Sequence, residues 1–362
     1  MYSLKAVDLF AGAGGATRGL QDAGFDVVGA IENDEFASQT YCANHASSML
    51  LTADIREVDA ERFRTKLGLR KGRLDLLKAC PPCQGFSSLA KGAIDQGRND
   101  LVFDALRFVD AFEPKILLLE NVPGLRKDAR MFRVAANLEE MGYTFRQYVV
   151  DAKDFGVPQR RKRLIAFASR RGFGLPPANL TDLLPASFDP RPRTVRDAFE
   201  ALARSISPED PQNVYRQSKS DVAARIKAVP VNGTRFDLPA EHQLACHLRL
   251  TYDDGRPRRN ATSSYGRLRL DEPSPTMTTR CTTPACGSFI HPTEHRGITL
   301  REAATLQTFP HRYRFLGHYE SVERQIGNAV PVRMAQALGL IAREMLARRP
   351  RRIDADTSER AE

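Results

Sequence analysis

The sequence has few cysteines, no long apolar run and no internal repeat, and each absence removes a class of protein. Six cysteines in 362 residues are too few for a disulfide scaffold. No stretch approaches the roughly 20 apolar residues of a membrane span, and the first eight residues lack the apolar centre of a signal peptide. With 42% hydrophobic and 27% charged residues, a wholly disordered chain is excluded. We expect globular domains in a reducing, cytoplasmic setting without membrane association.

Positive charge is in excess, because 54 Lys and Arg against 44 Asp and Glu give a formal net charge of +10. Such a charge suits a partner with a phosphate backbone. It is equally typical of a basic solvated surface, so charge alone does not decide between the two interpretations.

Short apolar runs alternate with helical stretches in the first third of the chain. Strands separated by helices of about ten residues or more indicate right-handed crossovers and a parallel sheet. We therefore predict an α/β domain, with a further strand pair at 143–150 and 164–168. Ligands of such sheets bind at the carboxyl ends of the strands. Polar or turn-forming residues stand at the predicted strand ends, namely Gly12, Glu32, Asp54, Cys80 and Glu120.

The glycine-rich turn after the first strand is a candidate cofactor loop, since glycines let backbone amides approach a ligand. Its G-x-G spacing falls short of the full dinucleotide fingerprint, and a packing turn is an equal alternative. Glu32 stands about 20 residues later, where an acid can accept ribose hydroxyls, and Asp34 is the better helix N-cap. Asp54 suits either an adenine amino group or an N-cap. Together these positions favour an adenosine-containing cofactor.

Cys80 and Cys83 have a C-x-x-C spacing, which allows three interpretations. A zinc site would need a second pair, from Cys281 and Cys286 or from Cys246 and His247, and neither repeats the spacing. A redox pair would open a helix, whereas Cys80 ends a predicted strand. Cys83, in the loop beside a cofactor, suits a nucleophile, with an inert buried thiol as the alternative.

Two further motifs carry candidate chemistry. Glu120 follows a strongly apolar strand, and a carboxyl group in such a partly desolvated position suits proton donation; a structural acid is the alternative. In the basic run 159–163, strand alternation sends Arg161 and Arg163 to one side and Arg160 and Lys162 to the other. One pair would face the site, although a basic run by itself is more often a solvated face.

These motifs occur in a fixed order along the chain. They are Asp8-Leu9-Phe10-Ala11-Gly12-Ala13-Gly14-Gly15, Pro82-Cys83-Gln84, Glu120-Asn121-Val122, Gln159-x-Arg161-x-Arg163, the segment from Arg296 to Pro310, and Gly327-Asn328-Ala329-Val330-Pro331. Over residues 5–340 the sequence resembles the DNA (cytosine-5)-methyltransferase family. The resemblance implies a Rossmann-like S-adenosylmethionine-dependent methyltransferase domain, a small loop-rich target-recognition domain, and S-adenosylhomocysteine as a product.

The resemblance also implies roles for individual residues. Cys83 would be the nucleophile, Glu120 the acid on the base, and Arg161 with Arg163 would hold the base and the catalytic loop. The loop from Gln84 to Asn99 would close over DNA. The cofactor would be bound by Phe10, Ala11, Gly12, Gly14, Gly15, Glu32, Asn33, Asp54, Ile55, Pro82, Asn328 and Val330.

We expect residues 1–185 to form the catalytic domain and 186–320 the target-recognition domain. Residues 321–349 would return to the catalytic domain and 350–362 form a disordered tail. The substrate would be a short specific sequence of double-stranded DNA, methylated by a monomer associated with the bacterial nucleoid. The expected context is a cognate restriction endonuclease or a phage-defence system, with an orphan regulatory role as an open alternative. Base or phosphate contacts are expected between 205 and 292, from Arg235, Arg249, Arg256, Arg258 and Arg259.

Three rival functions remain. The doubled proline Pro81-Pro82 also occurs in the transfer-RNA branch of the resembled family, but the Cys-Phe-Thr tripeptide of that branch is absent, which favours DNA. A catalytically silent DNA-binding module is disfavoured by intact Cys83, Glu120 and Arg163. A dinucleotide oxidoreductase shares only the glycine turn and Glu32.

Overall fold

One mixed sheet forms the centre of the fold. The computed structural model describes residues 3–82, 100–245 and 264–348, and within these ranges seven strands pair in the order β3-β2-β1-β4-β5-β7-β6. The strands are β1 Leu4–Leu9, β2 Phe25–Glu32, β3 Met49–Thr52, β4 Leu76–Ala79, β5 Ile116–Asn121, β6 Tyr143–Asp151 and β7 Lys162–Arg170. Strands β1 to β5 are parallel, whereas β7 runs antiparallel to both β5 and β6. The predicted α/β class is confirmed.

The α-helices of the described ranges either cover the two faces of the sheet or lie beyond it. Those described are α1 Gly15–Asp22, α2 Glu35–Asn44, α3 Ala60–Lys66, α4 Leu101–Phe112, α5 Ala129–Glu140, α6 Val195–Ala203, α7 Ser220–Ala228, α8 Leu300–Leu306, α9 Tyr319–Asn328 and α10 Val332–Ala347. At Thr194 and Thr299 the sequence has a hydroxyl followed three residues later by an acid, a pattern that predicts a capping box. Both boxes are formed. None of the described helices is long and apolar enough to cross a membrane.

Alternation along the strands divides the apolar residues between two faces. On β4, Leu77 belongs to the cluster that packs against α3, α4 and α5, while Leu76 belongs to the cluster that packs against α1 and α10. β5 is buried along its whole length. Burial on both faces explains why its sequence begins with a continuous apolar run.

The last helix returns to the first. α10 packs across α1, and Gly19 permits the contact, because a Cβ there would overlap Val332 and lie 2.7 Å from the Gln336 nitrogen. The Arg343 guanidinium donates to the Ala23 carbonyl, 320 positions earlier. α10 therefore shares one apolar cluster with α1 and with this face of the sheet.

Two smaller clusters lie beyond the sheet. One joins α6, α8 and α9 to Ala13 of the glycine turn, so this part of the chain is packed directly against the end of β1. The other lies within residues 226–290 and consists of Ile226, Val229, Leu238, Tyr265 and Ile290.

Candidate active site

The carboxyl ends of the parallel strands lie along one edge of the sheet, and several of the predicted site positions are found there. The glycine turn follows β1, Glu32 ends β2, and Glu120 lies on β5. Because β7 is antiparallel to β5, with Asn121 opposite Leu164, the beginning of β7 brings Arg163 to this same edge. A single row of polar groups therefore results from strand direction alone.

Gly12 and Gly14 of the glycine turn differ in what surrounds them. Gly12 and Gly14 have φ angles of 56° and 88°, which L side chains rarely adopt. A Cβ at Gly14 would overlap the His45 ring and lie 2.8 Å from the Tyr313 oxygen, whereas a Cβ at Gly12 would meet no atom within 4 Å. Gly14 is thus required by packing, and Gly12 borders open space at the sheet edge.

Glu32 connects this turn to the end of β2. Its Oε2 accepts from the Gly12 amide at 2.7 Å, and its Oε1 accepts from the amides of Asn33 at 3.0 Å and Asp34 at 2.8 Å. Burial raises the pKa of Glu32, and the three amide hydrogen bonds oppose this change. As predicted, Asp34 is the N-cap of α2, with its side chain accepting from Ala37, so Glu32 is not needed as the cap.

Asp54 has the capping role that the sequence left as an alternative. Its carboxylate accepts from the Arg56 amide at 3.0 Å and pairs with the Arg56 guanidinium at 2.5 Å. These hydrogen bonds lower the pKa of Asp54 to about 2. Ile55, the next residue, is buried in the apolar cluster. The structure therefore places Ile55 in the core and gives Asp54 a local partner at the edge.

Glu120 and Arg163 form a nearly buried ion pair, with 2.9 Å between the Arg163 Nε and the Glu120 Oε1. The neighbouring Asn121 donates to the Pro81 carbonyl at 3.0 Å, which ties the end of β5 to the chain that follows β4. Pro82 is exposed beside it. Charge and hydrogen bonding at this point are therefore fixed by β5, β7 and the segment after β4.

Arg161 lies on the same side of its run as Arg163, and the exposed positions of Arg160 and Lys162 confirm the predicted alternation. Its guanidinium nevertheless takes different partners, because it donates to the Met277 carbonyl at 2.8 Å and the Gly327 carbonyl at 3.1 Å. Burial, and then the charge of Arg163, lower the pKa of Arg161, although an arginine remains charged. The structure therefore brings Arg163, and not Arg161, into contact with Glu120.

The 326–330 turn, which consists of the last residues of α9 and the first residues of its link to α10, forms a wall beside the glycine turn. The Val330 carbonyl would lie 2.8 Å from a Cβ at Gly15, and the Val330 side chain packs with Ala16. Asn328 is exposed at the end of α9. The structure therefore brings the predicted Asn328–Val330 segment to the glycine turn.

Two polar groups behind the glycine turn were missed by the sequence analysis. Tyr313 donates to the Ala13 carbonyl at 2.5 Å, and His45 Nε2 lies 2.8 Å from the Tyr313 oxygen. Burial lowers the pKa of His45 to about 4, so its ring is neutral at pH 7. Nothing in the local sequence marks either residue, because their partners are distant along the chain.

A third missed group is the buried ion pair of Lys78 and Asp8, whose charged atoms are 2.7 Å apart. Strands β1 and β4 place the two residues directly opposite each other. Asp8 also accepts from the Thr17 hydroxyl at 2.7 Å. A charged residue in each of two adjacent apolar strands was the available signal for this pair.

Several predicted residues lie outside the described ranges. These are Cys83, the segment Gln84–Asn99, Arg249, Arg256, Arg258, Arg259 and the tail 350–362. Arg235 is described and is buried, beside the ring of Phe236. Within the described ranges, no three His, Cys, Asp or Glu side chains come together to hold a metal ion.

The comparisons with known proteins give the class of this chain. It belongs to the C-5 cytosine-specific DNA methylase family, whose model matches residues 4–343. It is 33% identical to the Type II methylase M.HgiDII of Herpetosiphon aurantiacus, covering 92% of this chain and 93% of that protein. It is 35% identical to the Type II methyltransferase M.PspPI of a Psychrobacter species, covering 97% and 81%.

The fold comparison agrees. A crystal structure of a candidate DNA modification methyltransferase encoded within an E. coli prophage superposes with a TM-score of 0.68 at 26% identity, covering 96% of this chain and all of that one. The chain is therefore a DNA (cytosine-5)-methyltransferase with a Rossmann-like methyltransferase fold, as the resemblance implied. The oxidoreductase alternative is excluded by this membership.

Proposed function

We propose that this enzyme transfers the methyl group of S-adenosylmethionine to carbon 5 of a cytosine that is flipped out of a short, specific double-stranded DNA sequence. The reaction would proceed through a covalent adduct on Cys83. The observation that carries the proposal is the Glu120–Arg163 pair, held at 2.9 Å on the strand-end edge. Glu120 is followed by Asn121, which donates to the Pro81 carbonyl. Pro81 stands two positions before Cys83 in the sequence.

The glycine turn and Glu32 fit the proposed methyl donor. Gly12 leaves open space at the strand-end edge, and Glu32 is a half-buried acceptor at the ribose position of the fold. We assign Phe10, Ile55 and the Asn328–Val330 segment to the surrounding wall. When bound, S-adenosylmethionine supplies an electrophilic methyl group and leaves as S-adenosylhomocysteine.

The residues of the chain would activate the base. Carbon 5 of cytosine is a poor nucleophile, and addition of the Cys83 thiolate at carbon 6 would make it an enamine carbon that accepts a methyl group. Glu120, in its protonated form, would donate its proton to ring nitrogen 3 and so relieve the charge of the adduct. Arg163 would orient the Glu120 carboxyl group through the ion pair. Loss of the carbon 5 hydrogen to solvent as a proton would then re-form the double bond between carbons 5 and 6 and release Cys83 as a thiolate. The proton on ring nitrogen 3 would return to Glu120.

A base inside a stacked duplex cannot reach these groups, so the cytosine must be flipped out, which costs a few kcal/mol. The net charge of +10 would supply sequence-independent phosphate contacts that help to offset this cost. We assign residues 1–185 and 321–349 to catalysis and 186–320 to target recognition. The separate cluster within 226–290 supports a target-recognition core there.

We further propose a restriction-modification context, in which the enzyme acts as a monomer in the bacterial cytoplasm and protects the sites of a cognate endonuclease. The Type II names of the relatives support this context. A phage-defence partner would be the alternative.

Bisulfite sequencing of genomic DNA from a methylation-free bacterial host tests the proposal. Wild type should protect cytosine in one short motif, and Cys83→Ser should protect none. Cys42→Ser is the matched control, because Cys42 is an exposed cysteine on α2 and should leave protection intact. Protection by Cys83→Ser would refute the covalent mechanism. If folded wild type bound S-adenosylmethionine but protected no DNA motif, RNA would become the leading substrate.

The roles of Glu120 and Arg163 have their own test. We expect Glu120→Gln to lower kcat by about 10²- to 10⁴-fold, the usual contribution of general acid catalysis. Arg163→Lys should lower kcat in the same direction, because an ammonium cannot reproduce the planar guanidinium contact. Arg160→Lys, in the exposed position of the same run, is the control. A kcat in Arg163→Lys equal to that of Arg160→Lys would contradict the orienting role.

A further inference from the structure

A short segment of the recognition region is held between the catalytic sheet and α9. We call Thr276–Arg280 the 276–280 loop. It follows a backbone pairing in which Arg160 donates to Ser274 at 2.8 Å and Ser274 donates to Pro158 at 2.9 Å. Gly327 admits the loop against α9, since a Cβ there would overlap the Thr278 carbonyl and lie 2.6 Å from the Thr279 nitrogen.

The 276–280 loop and the 326–330 turn face the two substrates of the proposed reaction, which are DNA and the methyl donor. Thr279 and Arg280 are exposed on the 276–280 loop, within the region assigned to DNA. On the other side of Gly327, the 326–330 turn presses its Val330 carbonyl against Gly15 of the glycine turn. A continuous chain of contacts therefore runs from the recognition region to the cofactor loop.

Arg161 is the charged group at the junction. One nitrogen of its guanidinium donates to the Met277 carbonyl in the 276–280 loop, and another donates to the Gly327 carbonyl within the 326–330 turn. The third, Nε, has no hydrogen-bond partner among the described residues. A buried charged donor that loses a hydrogen-bond partner pays the free energy of its desolvation. Separation of the 276–280 loop from the 326–330 turn is therefore unfavourable.

Two buried glutamines reinforce the same junction. Gln159 accepts from the Met277 amide at 3.0 Å and donates to the Gln307 side chain at 2.9 Å. Gln307 in turn donates to the carbonyls of Ile326 at 2.6 Å and Ala329 at 3.3 Å. The 326–330 turn and the 276–280 loop are thus hydrogen-bonded to one connected group of side chains.

We propose that Arg161 is a positioning residue that makes methyl-donor binding and DNA binding cooperative, by holding the 276–280 loop and the 326–330 turn in one arrangement. This inference rests on the proposed function. It gives Arg161 a role beyond the expected one of helping to hold the base and the catalytic loop, namely that of a link between two binding surfaces. Coupling of this kind is reciprocal, so each ligand raises the affinity of the other by the same factor.

Calorimetry with S-adenosylhomocysteine tests the proposal. Its Kd is measured without DNA and with a saturating duplex that carries the motif found by bisulfite sequencing. For wild type we expect DNA to lower the Kd by a factor of about 5 to 150, the usual range of coupling between sites. In Arg161→Lys the factor should fall close to one, since a single ammonium cannot bridge two carbonyls as the guanidinium does. Arg160→Lys should keep the wild-type factor.

The outcomes separate this inference from the proposed function. Absence of S-adenosylhomocysteine binding to wild type would refute the proposed function itself. Wild type that binds both ligands without coupling, or folded Arg161→Lys with the wild-type factor, would overturn the role of Arg161. If Arg161→Lys does not fold, Gln307→Met replaces it, because this change releases the Ile326 and Ala329 carbonyls, and the same loss of coupling is expected.

Discussion

The buried Lys78–Asp8 pair leads to the sharpest stability prediction. Both side chains are almost completely excluded from solvent. Burial lowers the pKa of Lys78, but Asp8 and then Cys80 raise it by more, so the pKa ends above its ordinary value. The lysine is therefore charged, and the pair lies close to the ends of the two strands that lead into the site.

Replacing Lys78 by Met would leave the Asp8 carboxylate buried with one neutral hydrogen bond, from Thr17. Removal of one partner from a buried ion pair costs about 3 to 5 kcal/mol. We expect Lys78→Met to lose this amount of unfolding free energy. The double variant Asp8→Asn, Lys78→Met should lose clearly less than the sum of its single variants, because both charges are gone and the introduced amide oxygen can still accept from Thr17.

Urea unfolding of wild type, both single variants and the double variant measures the coupling energy directly. Lys66→Met, on the exposed side of α3, is the control and should change stability by no more than about 0.5 kcal/mol. A loss below about 1 kcal/mol for Lys78→Met, or additive losses in the double variant, would refute the argument from burial.

Two further predictions concern the glycine turn. Gly14→Ala should lower the free energy of unfolding by about 3 kcal/mol, because left-handed backbone strain is added to overlap with His45. Gly12→Ala should lower it by about 1 kcal/mol, from backbone strain alone. Equal losses of the two variants in urea unfolding would contradict the packing of Gly14 against His45. His45 has a pKa of about 4 when folded and about 6.5 when unfolded, so its stabilising contribution is complete above pH 6.5. As the pH falls from 6.5 to 4, the free energy of unfolding should fall by up to about 3 kcal/mol. His45→Gln should make this fall smaller. An unchanged dependence of stability on pH in that variant would exclude His45 as the source.

Local signals were sufficient for most of the secondary structure. A hydroxyl followed three positions later by an acid predicted the capping boxes at Thr194 and Thr299, and both are formed because the motif satisfies its own backbone donors. Alternation correctly divided Arg161 and Arg163 from their exposed neighbours, since the period of a strand is a property of the backbone. The strand ends predicted which side chains share one edge.

Partners that are distant along the chain were not predictable in this way. Tyr313 contacts Ala13 across 300 positions, and no periodicity encodes such a pairing. The contacts of Arg161 were not predictable from its motif either, because the carbonyls of Met277 and Gly327 lie 116 and 166 positions further along the chain. The roles of Cys83 and of the recognition arginines outside the described ranges remain predictions.

The packing of α10 on α1 also has a consequence for synthesis on the ribosome. The first helix emerges early, yet its covering helix is encoded some 300 positions later, as the Arg343–Ala23 contact shows. At 5–20 residues per second, this interval lasts roughly 15 to 60 s. During that time the apolar side of a growing sheet has no native cover and is a target for aggregation or for a holding chaperone. The sheet can therefore finish folding only after residues 186–320 have been made.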